Sequence, residues 1–308
     1  MLPLSTRMPQ KSKNTGARYR AAWPYLLTAV APLCWGGNIV LARGVVDIIP
    51  PVGFAFWRWT IAFVILLPFA WRPARQDWPR VVKSWKIMSA LSILGISFFN
   101  TMLYTAVHTT TAINGAMIQT TMPAVIILAT LVMFKERVSG LQILGVAVCI
   151  FGALIVILRG RLDTLLGMSF ATGDILMMGA VVLYALYSVL LRRKPAISPL
   201  SFLIYTFGLG ILFLLPLYLW ELAGGATMDL TLPVILSILY VAVFPSIVAY
   251  FCWNRGVEVL GANRTGLLIN FIPVFASILA ILFLGETLQA FHVIGLALIF
   301  GGMILFNR

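Results

Sequence analysis

Apolar runs of about 20 residues, separated by short polar breaks, follow one another from residue 21 to the C-terminus. A helix needs about 20 mostly apolar residues to cross the hydrocarbon core of a bilayer. The pattern predicts spans near 21–42, 51–71, 87–107, 111–134, 139–158, 171–191, 200–220, 232–254, 262–284 and 288–306. Prolines interrupt several runs, which membrane helices tolerate where neighbours satisfy the freed carbonyls. The breaks leave no room for an extramembrane catalytic or nucleotide-binding domain. Residues 1–20 are polar and basic, and read as a disordered cytoplasmic tail ahead of an uncleaved first span.

Composition agrees with a bilayer setting. Of 308 residues, 61% are hydrophobic and 10% charged, and mean hydropathy is +1.01. A soluble domain carries about a quarter charged residues. The net charge of +13 would suggest nucleic-acid binding in a soluble protein, but here its placement reads differently. Lys and Arg collect in the cytoplasmic loops of membrane proteins. The tail holds Arg7, Lys11, Lys13, Arg18 and Arg20, and the second loop Arg72, Arg75, Arg80, Lys83 and Lys86. Lys135, Arg137, Arg192, Arg193, Lys194, Arg255, Arg264 and Arg308 fall on the same side; Arg43, Arg159 and Arg161 fall on the other. Both termini are therefore expected in the cytoplasm, and an even number of spans is required. No nucleic-acid partner is expected. Trp71, Trp78, Trp85 and Trp220 lie near span ends, where indole rings anchor at the interface. Cys34, Cys149 and Cys252 sit inside apolar runs and read as small core residues. Neither a metal nor a cofactor is expected.

The halves overlay on each other. Residues 100–156 match 250–306 at a constant offset of 150, pairing Val107 with Val257, Ala112 with Ala262, Pro123 with Pro273, Glu136 with Glu286, Gly145 with Gly295 and Gly152 with Gly302. Upstream the offset is 148, where Pro51 meets Pro199 and Leu66-Leu67-Pro68 meets Leu214-Leu215-Pro216. Five spans per unit, an odd number, invert the second unit in the membrane. The expected fold is all-α, with ten transmembrane helices as two inverted five-helix repeats, 21–160 and 161–308. Inverted repeats mark secondary transporters, with a midplane substrate site and rocking between the halves.

Certain residues carry a resemblance. They are Trp35-Gly36 in the first span, Pro51 with Phe56-Trp57-Arg58 in the second, and the Pro123, Glu136, Gly145, Gly152 series repeated as Pro273, Glu286, Gly295, Gly302. With them the chain resembles the EamA-type transporters of the drug/metabolite transporter superfamily over residues 21–308. It departs from the pattern at Tyr184-Ala185, where the repeat would favour Trp, and in lacking an arginine in the seventh span to match Arg58. The resemblance implies export of small metabolites, with amino acids a frequent class, and is closest to the aromatic amino acid exporters. Short loops and the lack of a targeting signal favour a bacterial inner-membrane location.

Several polar and aromatic positions are candidates for the substrate cavity. Asn100 and Tyr104 share one helical face, and at offset 150 they meet Tyr250 and Asn254, the same pair in exchanged order. Amides donate to and accept from the charged ends of an amino acid, and tyrosine offers a flat face and a hydroxyl. The structural alternative is interhelical bonding alone. Thr120 and Asn270 each lie three residues before a proline, Pro123 and Pro273, so with Gln119 they could border opened carbonyls. Gly95 and Pro245 are matched candidate hinges. Trp35 and Asn38, Tyr184 and Tyr187, and Trp253 would add walls. Arg58 reads either as a residue snorkelling to the outer interface or as a carboxylate ligand. Glu136 and Glu286 precede the fifth and tenth spans, where a carboxylate favours the N-terminal end of the following helix. Acidic residues are lacking at mid-depth, with Asp174 near an outer end, which favours facilitated export over proton antiport.

The expectation is a monomeric or weakly dimeric carrier that exports amino acid-like metabolites and has lipid as its surroundings. A nucleotide-sugar or phosphorylated-metabolite exchanger would want more basic residues at mid-depth. A membrane-embedded enzyme would want a catalytic set inside the bundle, and His108 and His292 lie apart near span ends.

Overall fold

The computed structural model describes residues 13–135, 139–158 and 171–306, all of its regular structure being helical. The helices are α1 (Lys13–Gly44), α2 (Pro51–Lys83), α3 (Trp85–Ala106), α4 (Ala112–Phe134), α5 (Gly140–Ile157), α6 (Thr172–Leu190), α7 (Pro199–Ala223), α8 (Leu232–Leu260), α9 (Ala262–Leu284) and α10 (Ala290–Phe306). Among the described residues eight helices are long and apolar enough to cross a membrane, and α5 and α10 are shorter apolar helices. Four corrections to the expected boundaries stand out. The stretch from Lys13 to residue 20 is helical and continues α1, since adding residues to a helix already nucleated in the apolar run avoids the cost of a new nucleus. Residues 1–12 lie outside the described residues. α2 runs on past 71 to Lys83 through Pro73 and Pro79, because its last turns serve α7: Asp77 Oδ2 accepts the Ser198 N–H at 2.9 Å, and Ala74 O accepts the Tyr205 hydroxyl at 2.9 Å. α8 continues past 254 to Leu260, where Gly261 at φ +82° ends it.

The fourth concerns the prolines of α4 and α9. Neither sits mid-helix. Each opens a fresh helical segment, Met122–Phe134 and Ile272–Leu284, after a break at Thr120–Thr121 and a 3₁₀ turn at Leu268–Phe271. Proline is suited to a first turn, where its missing N–H costs nothing. Each of α3 and α8 contains a π-helical segment, Ile93–Ser97 and Val243–Val248. The two segments start 150 positions apart, and they hold Gly95 and Pro245.

α2 packs along α7, and α5 along α10; α1 lies against α8 and α9, while α6 lies against α3 and α4. The α5–α10 seam is built on glycine. A Cβ on Gly152 would lie 2.7 Å from Gly295 O, and one on Gly302 would lie 2.7 Å from Cys149 Sγ. Cys149 Sγ donates to Ile299 O at 3.3 Å, across a sequence separation of 150. Trp71, Trp78, Trp85 and Trp220 are all exposed, as interfacial anchors require.

Glu286 behaves differently from the expectation that it serves its own following helix. Its carboxylate accepts the Ala112 and Ile113 N–H groups at 2.8 and 2.9 Å, at the start of α4. Residue pair Ala112/Ile113 is the more demanding end, since both residues are buried and buried N–H groups need acceptors. Glu221 does the same for α2, accepting from Val52 and Gly53 at 2.9 and 2.6 Å. Glu136 lies outside the described residues.

Candidate functional site

The two π segments meet at the centre of the bundle. In α8, Pro245 has no N–H to give to Val241 O, and Ser246 Oγ donates to that carbonyl instead, at 2.6 Å. The bulge turns Pro245 O outward, where it accepts from Trp35 Nε1 of α1 at 3.0 Å and from Arg58 Nη2 of α2 at 2.9 Å. In α3, Gly95 O accepts the Tyr250 hydroxyl of α8. Matched positions in the two halves thus each present a carbonyl to the other half. Gly95 also needs to be glycine: a Cβ there would lie 2.7 Å from Tyr187 Cε2, so the ring packs directly on the backbone. Such bulges often accompany functional sites.

Arg58 does not snorkel. It is 1% exposed and lies among the largest fully buried side chains. A guanidinium cannot shed its charge, so its surroundings must solvate it. Nε donates to Ser246 Oγ at 2.5 Å. Nη1 donates to Asn100 Oδ1 at 2.8 Å, to Tyr104 Oη at 2.6 Å and, more weakly, to Asn38 Oδ1 at 3.4 Å. The guanidinium carbon lies 4.7 Å from the Trp59 ring centroid, within cation–π range. Asn100 is oriented for its role by Nδ2, which donates to Ile96 O at 2.8 Å. At offset 148 the position matching Arg58 is Thr206, whose hydroxyl bonds within its own helix to Phe202 O and Leu203 O.

The exchanged Asn/Tyr pattern has a structural counterpart. Tyr104 Oη donates to Asn38 Oδ1 at 2.9 Å, joining α3 to α1. Tyr187 Oη donates to Asn254 Oδ1 at 2.7 Å, joining α6 to α8. Each half makes one phenol-to-amide bond, with phenol and amide swapped between the helices. Around these bonds stands a set of mutually touching rings. Trp35 lies 5.4 Å from Tyr184, 5.2 Å from Trp253 and 6.1 Å from Tyr250, centroid to centroid. Tyr187 lies 5.1 Å from Tyr184 and 6.0 Å from Tyr250. Trp253 Nε1 donates to Ser188 Oγ at 3.3 Å.

Of the sequence-predicted residues, Trp35, Asn38, Arg58, Gly95, Asn100, Tyr104, Tyr184, Tyr187, Pro245, Tyr250, Trp253 and Asn254 therefore converge on one buried cluster. Gln119, Thr120 and Asn270 are buried elsewhere on α4 and α9. Gln119 Nε2 reaches Met177 Sδ at 3.7 Å, and Thr120 Oγ1 bonds back to Met117 O. Pro123 and Pro273 go with them. Sequence reasoning missed Ser246, Ser188 and Trp59. Ser246 had a signal: it directly follows a mid-span proline, where an unpaired carbonyl needs a donor.

A cavity of about 310 Å³ lies beside the C-terminal ends of α6 and α8 and touches the cluster at Asn254. Leu191, Arg192, Lys194, Val257 and Glu258 line it. Lys194 and Glu258 form an ion pair beside it, and Arg255 joins Glu258 at 2.8 Å. Two larger and mostly apolar grooves, one between α2 and α7 and one bounded by α1, α8 and α9, open on the perimeter away from the cluster.

The EamA-like transporter family model matches residues 22–158 and again 171–308. An uncharacterized transporter of Bacillus subtilis, YyaM, is 28% identical over 91% of this chain and 92% of its own length. An uncharacterized transporter of Archaeoglobus fulgidus is 24% identical over 91% and 96%. A probable terminal-alkyne amino-acid exporter of Streptantibioticus cattleyicolor is 25% identical over 94% of both chains. A solved crystal structure, 17% identical, covers 92% of this chain and 96% of its own at a TM-score of 0.65, which is a likeness of fold.

Proposed function

The chain belongs to the EamA-like transporter family and is a multi-pass membrane protein, and on that premise we propose that it exports small amino acid-like metabolites, aromatic ones included, from the cytoplasm. The carrying observation is the buried cluster between matched π segments, to which α1, α2 and α3 of the first half and α6 and α8 of the second contribute. Ring faces and edges suit a flat apolar side chain, and amide and phenol groups suit a polar backbone. All ten helices cross the bilayer as two inverted five-helix units, and the halves rock about the cluster to give alternating access. The basic loops support a cytoplasmic opening for the 310 Å³ cavity, and in this reading substrate reaches the rings past Lys194, Glu258 and Asn254. The location is the inner membrane of a bacterial cell, and the working unit is a monomer or weak dimer.

The deciding experiment is uptake of labelled solutes into proteoliposomes, using phenylalanine, methionine, threonine and a nucleotide sugar. Protein-dependent phenylalanine flux is expected. Absence of flux for every amino acid in the panel would end this reading, and flux of the nucleotide sugar alone would replace it. A pH gradient imposed across the same vesicles should leave phenylalanine flux unchanged; a strict requirement for the gradient would establish proton coupling instead. Single cysteines at Arg161→Cys and Lys194→Cys should label from opposite sides of the membrane, and labelling from one side would overturn the orientation.

A further inference from the structure

We infer that Arg58 is the anchor for a substrate carboxylate, and that the site recognises the carboxylate rather than the ammonium group of its ligand. This rests on the export reading, which names the substrate class only as amino acid-like. The geometry is a buried guanidinium, donors without acceptors around it, and no acidic side chain in contact.

Consider first the charge. Every group that bonds Arg58 is neutral: two amides, a phenol, a serine hydroxyl and a backbone carbonyl. Among the described residues Arg58 makes no ion pair. A buried charge is ordinarily matched by an opposite one, because dipoles alone replace lost hydration incompletely. The cluster therefore holds one permanent positive charge that a monoanion would neutralise.

The hydrogen-bond inventory points the same way. Nη2 carries two N–H groups and has one acceptor, Pro245 O. Trp59 Nε1, beneath the guanidinium, is buried without an acceptor. Asn254 Nδ2, at the inner end of the cluster, is likewise without one. Tyr184 Oη, inside the cluster, is also without a partner and can donate as well as accept, whereas the unpaired amide oxygens Asn114 Oδ1 and Asn270 Oδ1 lie outside it, in the first turn of α4 and the 3₁₀ turn of α9. A carboxylate supplies only acceptors, and a guanidinium fork fits it in bidentate fashion. An ammonium supplies only donors, which the cluster already has in excess, and it would repel Arg58. The Asn38, Asn100 and Tyr104 oxygens hold the fork in place until the carboxylate takes their share of it.

Three ligands sharing one phenylethyl body separate the two ends: phenylalanine, 3-phenylpropionate, which lacks the ammonium, and 2-phenylethylamine, which lacks the carboxylate. Binding to the purified full-length protein in detergent is read by intrinsic tryptophan fluorescence and by thermal shift. The expected order is 3-phenylpropionate at least as tight as phenylalanine, and 2-phenylethylamine at least tenfold weaker than both. Arg58→Gln should weaken 3-phenylpropionate at least tenfold and leave 2-phenylethylamine unchanged or tighter. Arg58→Lys, which keeps charge but loses the fork, should fall between. Equal binding of the amine, or failure of both carboxylates to bind, overturns the inference. The wild-type panel decides the matter even if an Arg58 variant does not fold. Phenylalanine flux in proteoliposomes tests the parent reading separately. Carboxylate-selective binding without flux would sink export and leave the anchor, while flux inhibited equally by the amine would sink the anchor and leave export.

Discussion

Replacing Glu286 tests how the two halves are tied at the start of α4. The first N–H groups of a helix have no partner inside it. Here Thr111 Oγ1 accepts from Asn114 at 3.0 Å, and Glu286 accepts from Ala112 and Ile113 at 2.8 and 2.9 Å. Glu286→Ala leaves two buried donors unmet, each at a cost of about 1–3 kcal/mol. It also removes an anion from the positive end of the helix, for about 0.3–1 kcal/mol. Glu286 itself is only half-buried, so water can replace part of the loss, and a total of about 2–4 kcal/mol is expected. Glu286→Gln keeps one side-chain oxygen and no charge, and should lose about half as much. The assay is denaturant-driven unfolding of the detergent-purified protein, followed by tryptophan fluorescence. The expected ranking is wild type, Gln, Ala. An alanine variant as stable as wild type would refute the capping argument. A Gln variant no better than Ala would show that the second oxygen or the charge carries the whole effect.

Gly95→Ala should cost about 1–3 kcal/mol by overpacking, since its methyl group meets the Tyr187 ring. Adding Tyr187→Leu should recover part of that cost in the same unfolding assay, and no recovery would place the strain elsewhere. Gly302→Ala should destabilise by a similar amount, because its methyl group meets Gly145 O and Cys149 Sγ; a neutral result would mean that α5 and α10 can separate freely.

Much of the architecture was legible in the sequence because lipid imposes length and apolarity together. The edges were less so. The helical stretch of α2 beyond residue 71 carries Arg72, Arg75 and Asp77, and polarity alone cannot distinguish a loop from a helix that leaves the bilayer intact. The exchanged Asn100/Tyr104 and Tyr250/Asn254 pairs did lead to the cluster, since helical spacing fixes which residues share a face. Depth and partner did not follow from spacing. Arg58 could be placed seven residues into its span, yet whether it turned outward or inward depended on Ser246 and Pro245, which are 187 and more positions away. Gln119, Thr120 and Asn270 were polar at the expected depth, but their helices break beside the prolines: Gln119 and Thr120 bond to Met177 and Met117, and Asn270 falls in a 3₁₀ turn. The destination of Glu286 was hidden for the same reason: its acceptor role is 174 residues from its donor.

Under the proposed rocking of the halves, the mismatch of Arg58 against Thr206 bears on the populations of the two end states. Two halves with identical polar groups would give a rocking protein two mirrored end states of equal free energy. A guanidinium bonded to Pro245 O, with a tyrosine hydroxyl and no guanidinium on the matched Gly95 O, removes that equality. The empty protein is then weighted toward one face, and every 1.4 kcal/mol of difference makes that weighting about tenfold steeper. A ligand that neutralises Arg58 lightens the weight. In the proposed cycle such a bias would set where the unloaded protein waits and how fast it resets.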